Sequence, residues 1–136
     1  MGISNPRHLF VYGTLLPGLA PPVIADVVNA LRLLGPATIP GRLYHLGAYP
    51  GCVLDPGCGR LIHGQLLEIP AEPAILERLD GYEDYAAHDA DGSLFLRTTC
   101  DAILPDGRQI PTWVYVYNRD VSRARLIESG RYHPEE

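Results

Sequence analysis

Ile110 to Asn118 is apolar on both sides of an extended chain: Ile110, Thr112, Val114 and Val116 point one way, and Trp113, Tyr115 and Tyr117 the other. Such a strand is buried on both faces and belongs inside a sheet rather than at its edge. Pro105-Asp106-Gly107-Arg108 is a turn sequence, so Leu94 to Leu104 pairs with this strand as a hairpin. Elsewhere the 13 prolines and 14 glycines keep elements short and turns frequent. A central hairpin among short elements fits a compact barrel or an α+β domain. At 136 residues the chain forms one domain, residues 1–136. A domain of this size buries about 68–70% of its unfolded surface.

The run His8-Leu9-Phe10-Val11-Tyr12 ends abruptly at Gly13-Thr14-Leu15-Leu16-Pro17-Gly18, which reads as a buried strand stopping at a loop. Backbone N–H groups turned outward at such a bend form a concavity for an anion, and a helix starting soon afterwards adds its positive end. Pro21-Pro22 opens that helix, with Ile24, Val27, Val28, Leu31 and Leu34 at helical spacing and Gly35 as its stop. Gly41 to Leu46 and Leu61 to Ile69 read as strands around turns at 47–51 and 56–59, the second pairing back on its predecessor. Tyr49-Pro50-Gly51 is either a plain turn or one wall of a pocket. Pro73 opens a second helix with Ile75, Leu76 and Leu79 toward the core and Gly81 as its end. The tail from Arg119 to Glu136 is charged, with a helical turn expected at 124–129, and wraps the surface.

Net charge −5, with 11 scattered basic residues, argues against a nucleic-acid partner and for a small molecule. No secretory apolar region and no apolar run near 18 residues is visible, so no membrane segment is expected. Cys52, Cys58 and Cys100 match no zinc spacing and leave one thiol unpaired, which suits a reducing cytoplasm. Gly13 and Gly18 bracket four residues as a phosphate-binding loop does, but Leu19 and Ala20 stand where lysine and a hydroxyl are required. No GxGxxG supports a dinucleotide. Asp89-Ala90-Asp91-Gly92-Ser93 lacks the later glutamate of a calcium loop and reads as a solvated turn. His45 and His63 are ordinary strand residues, and Cys52 has no local base to make it a nucleophile. No metal or organic cofactor is implied.

Tyr82-Glu83-Asp84-Tyr85 places two acids between aromatics at a helix C-terminus, where the helix dipole disfavours carboxylates. Composition alone leaves Glu83 as either a solvated acid after a helix or a sheltered one whose pKa burial pushes up. The loop, this acid and the tyrosines of the central strand together would make a pocket with a base and donors.

Six short motifs in order then carry a resemblance: Val11-Tyr12-Gly13-Thr14-Leu15, Leu46 to Gly51, His63-Gly64-Gln65-Leu66, Leu79-Asp80-Gly81-Tyr82-Glu83, Val114 to Tyr117, and Glu128-Ser129-Gly130-Arg131-Tyr132. Along nearly its whole length the chain resembles the gamma-glutamylcyclotransferase-like family, above all its small bacterial members. The resemblance implies an α+β fold, a small mixed β-barrel flanked by short helices. It also implies a reaction in which the α-amino nitrogen of a γ-glutamyl amide attacks its own γ-carbonyl, releasing an amine and leaving 5-oxoproline. No protein nucleophile is needed. By the same resemblance, Tyr12, Gly13, Thr14 and Leu15 hold the glutamyl α-carboxylate and Glu83 acts as base and then acid. Tyr117 either hydrogen-bonds substrate or is a core tyrosine, and Arg97 braces the site or pairs with Asp80 or Asp84. Two positions depart from the pattern: Phe95 where a tyrosine often stands, and Gly130-Arg131-Tyr132 where Gly-Asp-Trp is usual. The alternatives are a non-catalytic domain that binds a small carboxylate and an enzyme of other chemistry on the same fold. The leaving amine and the oligomeric state are not encoded in this one sequence.

Overall fold

The computed structural model describes residues 6–16 and 18–132. Pro17 of the expected binding loop and residues 133–136 of the charged tail lie outside the described residues. The order along the chain is β1 (His8–Val11), α1 (Pro22–Ala30), β2 (Arg32–His45), β3 (Pro50–Leu54), β4 (Leu61–Glu68), α2 (Pro73–Tyr82), β5 (Phe95–Ile103), β6 (Gln109–Tyr117) and β7 (Arg125–Leu126).

Five strands in the order β2-β4-β1-β6-β5 curl until β5 meets β2 again at Thr38 and Ile103, closing a mixed barrel with two short helices against it. The β1–β6 pairing is parallel and the other barrel pairings are antiparallel. β6 lies between β1 and β5, the interior position that its two apolar faces demand.

Alternation along the strands sorts the core into two bodies. Phe10, Ile39, Ile62, Leu66 and Val114 fill the barrel, joined by Tyr12 and Cys52. Residues of opposite parity, including Leu9, Val11, Leu67 and Tyr115, face outward and are covered by Ile24, Val27 and Val28 of α1 and Ile75 and Leu79 of α2. A five-stranded barrel leaves room for side chains and nothing else, so a small-molecule site has to form outside it.

Four local expectations are corrected. The first helix ends at Ala30, and Leu34, expected on its apolar face, stands 43% exposed in β2 beside Leu33. There Leu33 pairs with Leu67 and Gly35 with Leu66 across a bulge that leaves Leu34 unopposed. Ladder hydrogen bonds to β4 outweigh a helical period that was incidental. The strand expected at 41–46 is therefore the last part of a 14-residue strand. Its first part pairs with β4 and its last part with β3. At the end of α2, Gly81 remains helical and Asp84 takes the left-handed conformation, φ 56°. The N–H groups of Asp84 and Tyr85 then donate to the carbonyls of Gly81 and Asp80, closing the helix as a Schellman motif. In the tail, the expected helical turn is the short strand β7, paired to Tyr44 and His45.

Candidate active site

β1 stops at Val11 because Gly13 begins a turn, in which the Leu16 N–H donates to the Gly13 carbonyl at 2.9 Å. Position 13 has to be glycine for a steric reason: a Cβ there would lie 2.6 Å from Cγ of Pro50, so the loop and the start of β3 touch backbone to ring. The N–H groups of Thr14 and Leu15 donate to no acceptor among the described residues. They border a cavity of about 220 Å³ on the helix-covered side of the barrel.

The cavity is lined by Phe10 to Leu15, Tyr49, Pro50, Tyr82, Glu83, Asp84, Leu94, Phe95 and Tyr115. Tyr49 and Pro50 make the wall that the Tyr-Pro-Gly turn offered as one of its two readings. The Tyr82 hydroxyl donates to Thr14 Oγ1 at 2.9 Å and fastens the end of α2 to the loop. Glu83, the C-cap of α2, is thereby held in the same cavity. Burial pushes its pKa from 4.5 up to about 8. Burial is the cause found for this shift, and the helix end invoked from the sequence is not needed for it. Tyr12, Tyr49 and Tyr115 surround the carboxyl closely enough that its charge raises the pKa of each phenol, in addition to the larger effect of their own burial.

Of the residues singled out from the sequence, Glu83, Tyr12, Gly13, Thr14 and Leu15 meet at this cavity; Arg97 and Tyr117 do not line it. Arg97 instead donates to both carboxylate oxygens of Asp80, at 2.8 and 3.2 Å, and lies 4.3 Å over the Trp113 ring. Tyr117 packs behind the wall, its ring 5.4 Å from that of Phe95. The Tyr12 side chain points into the barrel, where its hydroxyl donates to the Tyr115 carbonyl.

The pairing of Arg97 with Asp80 is one of the two partners the sequence offered, but sequence reasoning passed over Asp80 as an organiser. Its carboxylate also accepts from the Tyr115 hydroxyl at 2.7 Å, so one acid one turn before Glu83 ties α2 to both strands of the hairpin. The available signal was an acid, an arginine and a tyrosine all in apolar elements, each in need of a partner. Leu94 was also passed over as a lining residue, and nothing in its local sequence sets it apart, whereas Tyr82 is one of the aromatics that frame Glu83 in the sequence. Cys52 is fully buried in the barrel, where burial pushes its thiol well above the usual range. Asp89 accepts from the Gly92 N–H at 3.1 Å within its own turn. Among the described residues no group of three or more His, Cys, Asp or Glu is placed to hold a metal ion, and no helix is long and apolar enough to cross a membrane.

The family model described as "Gamma-glutamyl cyclotransferase, AIG2-like" matches residues 9–134. The chain belongs to this family. It is 34% identical over 124 residues to the gamma-glutamylcyclotransferase family protein YtfP of Escherichia coli K12, covering 90% of this chain and 93% of that one. The solution structure of Escherichia coli YtfP superposes with a TM-score of 0.62, at 32% identity over 92% of this chain and 95% of that chain. The fold is shared more distantly with an AIG2-like protein from Mus musculus, TM-score 0.67 at 24% identity, covering 86% of this chain and 81% of that one. It is also shared with YkqA from Bacillus subtilis, TM-score 0.69 at 20% identity, where the match takes in 93% of this chain and 39% of the longer YkqA chain. As a gamma-glutamylcyclotransferase family protein, the chain carries its cavity between the turn after β1 and the end of α2.

Proposed function

We propose that this protein cyclises a γ-glutamyl amide to 5-oxoproline and releases the amine, with Glu83 moving the proton. The observation that carries the reading is a sheltered carboxyl, pKa about 8, sharing a small cavity with the unengaged N–H groups of Thr14 and Leu15. A γ-glutamyl head has an α-carboxylate for those amides and an α-ammonium for the acid. Gripping the carboxylate at the turn curls the substrate so that its amine faces its own γ-carbonyl, and alignment of this kind supplies about 7–11 kcal/mol of a barrier.

Glu83 as carboxylate takes a proton from the α-ammonium, the freed nitrogen bonds to the γ-carbonyl carbon, and the C–N bond to the leaving amine breaks as Glu83 returns that proton to it; the second proton shed by the attacking nitrogen as it becomes the lactam N–H also goes to the amine, which departs as ammonium. An ordinary glutamate, pKa about 4.3, is mismatched with an amine near 8 by roughly four units, about 5 kcal/mol. At about 8 the carboxyl is matched to its partner, and most of that obstacle is gone. Phe95 gives its wall of the cavity an aromatic face without a hydroxyl, so orientation of the substrate rests on the turn and on Glu83. Arg97 serves at one remove, through Asp80. Tyr117 backs Phe95 and keeps the wall in place. With its three free thiols the protein suits the cytoplasm.

The test is 5-oxoproline release from a panel of γ-glutamyl amines, γ-glutamyl amino acids and glutathione. Glu83→Gln is expected to bind substrate and to lose turnover by at least about 100-fold, the scale of one proton-transfer group. Turnover retained in Glu83→Gln removes Glu83 from the mechanism. Binding by the native protein with no product from any substrate turns the reading to a carboxylate-binding domain, and glutamate as product turns it to hydrolysis.

A further inference from the structure

A second cavity, of about 430 Å³, opens on the other side of the turn after β1. Its floor is a row across the outer face of the barrel, because Thr38 is the partner of His63 on β4 and of Ile103 on β5. Gln65 lies two residues beyond His63 on the same face. Arg131 forms the rim, and its position is fixed by the residue before it. Gly130 has φ +70°, a Cβ there would meet the Leu61 carbonyl oxygen, and its own carbonyl accepts from the His63 N–H at 2.8 Å.

The charge pattern is the reverse of the first cavity's. Among the described residues, Glu83 and Asp84 line the first and no basic side chain does, whereas Arg131 lines the second and no aspartate or glutamate does. This is notable in a chain of net charge −5. Arg32, Arg42, Arg78, Arg97 and Arg108 are each spent in an ion pair with an acid, and the Arg131 guanidinium makes none among the described residues. His63 stands close enough to feel it: burial first, and then Arg131, lowers the imidazole pKa, so the ring is neutral at pH 7 and can donate one N–H. Around these donors the lining is apolar, with Ile103, Leu104 and Tyr132.

We infer that this cavity binds a small organic carboxylate, its head paired with the Arg131 guanidinium and hydrogen-bonded by His63 and Gln65, its apolar body against Leu104 and Tyr132. One guanidinium with neutral donors matches a monoanion with a hydrocarbon part, since the fork of Arg pairs bidentately with a carboxylate and the remainder of the wall rewards apolar contact. Inorganic phosphate has no body for that wall and carries more charge than one cation balances. The assignment does not rest on the chemistry proposed for Glu83.

Isotope-labelled full-length protein is titrated with phenylacetate, phenylacetamide and inorganic phosphate, and backbone amide shifts are followed. Phenylacetate is expected to give saturable shifts at Thr38, His63, Gln65 and Arg131, with phenylacetamide binding about tenfold more weakly or less. Arg131→Gln, at an exposed position where folding is not at risk, is expected to weaken phenylacetate about tenfold or more, and His63→Gln several-fold. Unsaturable shifts, shifts confined to Thr14, Leu15 and Glu83, or undiminished binding in Arg131→Gln overturn the site. Phosphate binding more tightly than phenylacetate overturns the carboxylate assignment.

Discussion

Glu83 is placed by a conflict of local rules. A carboxylate after the last turn of a helix, among aromatic rings, meets neither a cation among the described residues nor a favourable dipole, and the molecule keeps it neutral at pH 7 instead. Folding favours the protonated form, so between about 4.5 and about 8 the native chain binds more protons at this residue than the unfolded chain does. Its contribution to stability is therefore whole below about pH 4.5, falls as pH rises toward 8, and is level above that. Urea unfolding of native protein and Glu83→Gln across pH 5 to 9 should show a downward slope in the native protein that the variant lacks. Activity runs the other way: the base must be ionised, so kcat/KM of the free enzyme should rise with pH through about 8. A profile flat across that range would show that the carboxyl ionises elsewhere or does not carry the proton.

The end of α2 is where an element turns that residue into a site. Asp80, one turn earlier, accepts from Arg97 and Tyr115, with side chains of Arg97 and Asp80 only 17% and 19% exposed. Removing the acid leaves a guanidinium and a phenol without a hydrogen-bond partner, so Asp80→Ala should cost about 2–3 kcal/mol in denaturant unfolding, below the roughly 3–5 kcal/mol of a fully buried pair because both side chains keep some exposure. It should also lower turnover, because the Glu83 cap moves with its helix. Gly81, the next residue, should respond in the opposite direction. It lies within α2 without positive φ and nothing stands within 4 Å of where its Cβ would be, so Gly81→Ala should stabilise by about 0.5–1 kcal/mol and raise Tm. A loss of stability there would mean that the helix end needs glycine's freedom after all. The same scale divides what the sequence made legible from what it hid. The β5–β6 hairpin was readable because its turn and its two apolar faces are local. The acid of α2 and the glycine of the first loop were readable as a candidate site because each breaks a local pattern. The start of β2 was not, since Leu31 to Leu34 continues a helical period and only pairing with β4, about thirty residues away, overrides it. The Asp80 to Tyr115 bond spans 35 residues, and the local sequence of each shows only a polar group in need of a partner, not which partner it takes.

At the scale of the whole molecule, the barrel is closed unevenly. Every residue from Phe95 to Ile103 has a partner on β6, while β5 meets β2 through the single pair Thr38 and Ile103. β1, which carries the turn of the candidate active site, lies on the opposite side of the circuit, held by β4 and β6 together. An opening confined to the Thr38–Ile103 seam is therefore expected to disturb the turn after β1 least, which a site built on alignment requires. Amide hydrogen exchange should show Ile103 opening with a smaller free energy, and a weaker dependence on denaturant, than Thr98 or Val114. Equal protection at all three would mean that the barrel opens as one unit. The second cavity lies across this seam, with Thr38 and Ile103 both in its lining. A ligand held there binds the closed barrel in preference to the opened one, so saturating phenylacetate should raise the protection of Ile103 and leave that of Val114 nearly unchanged.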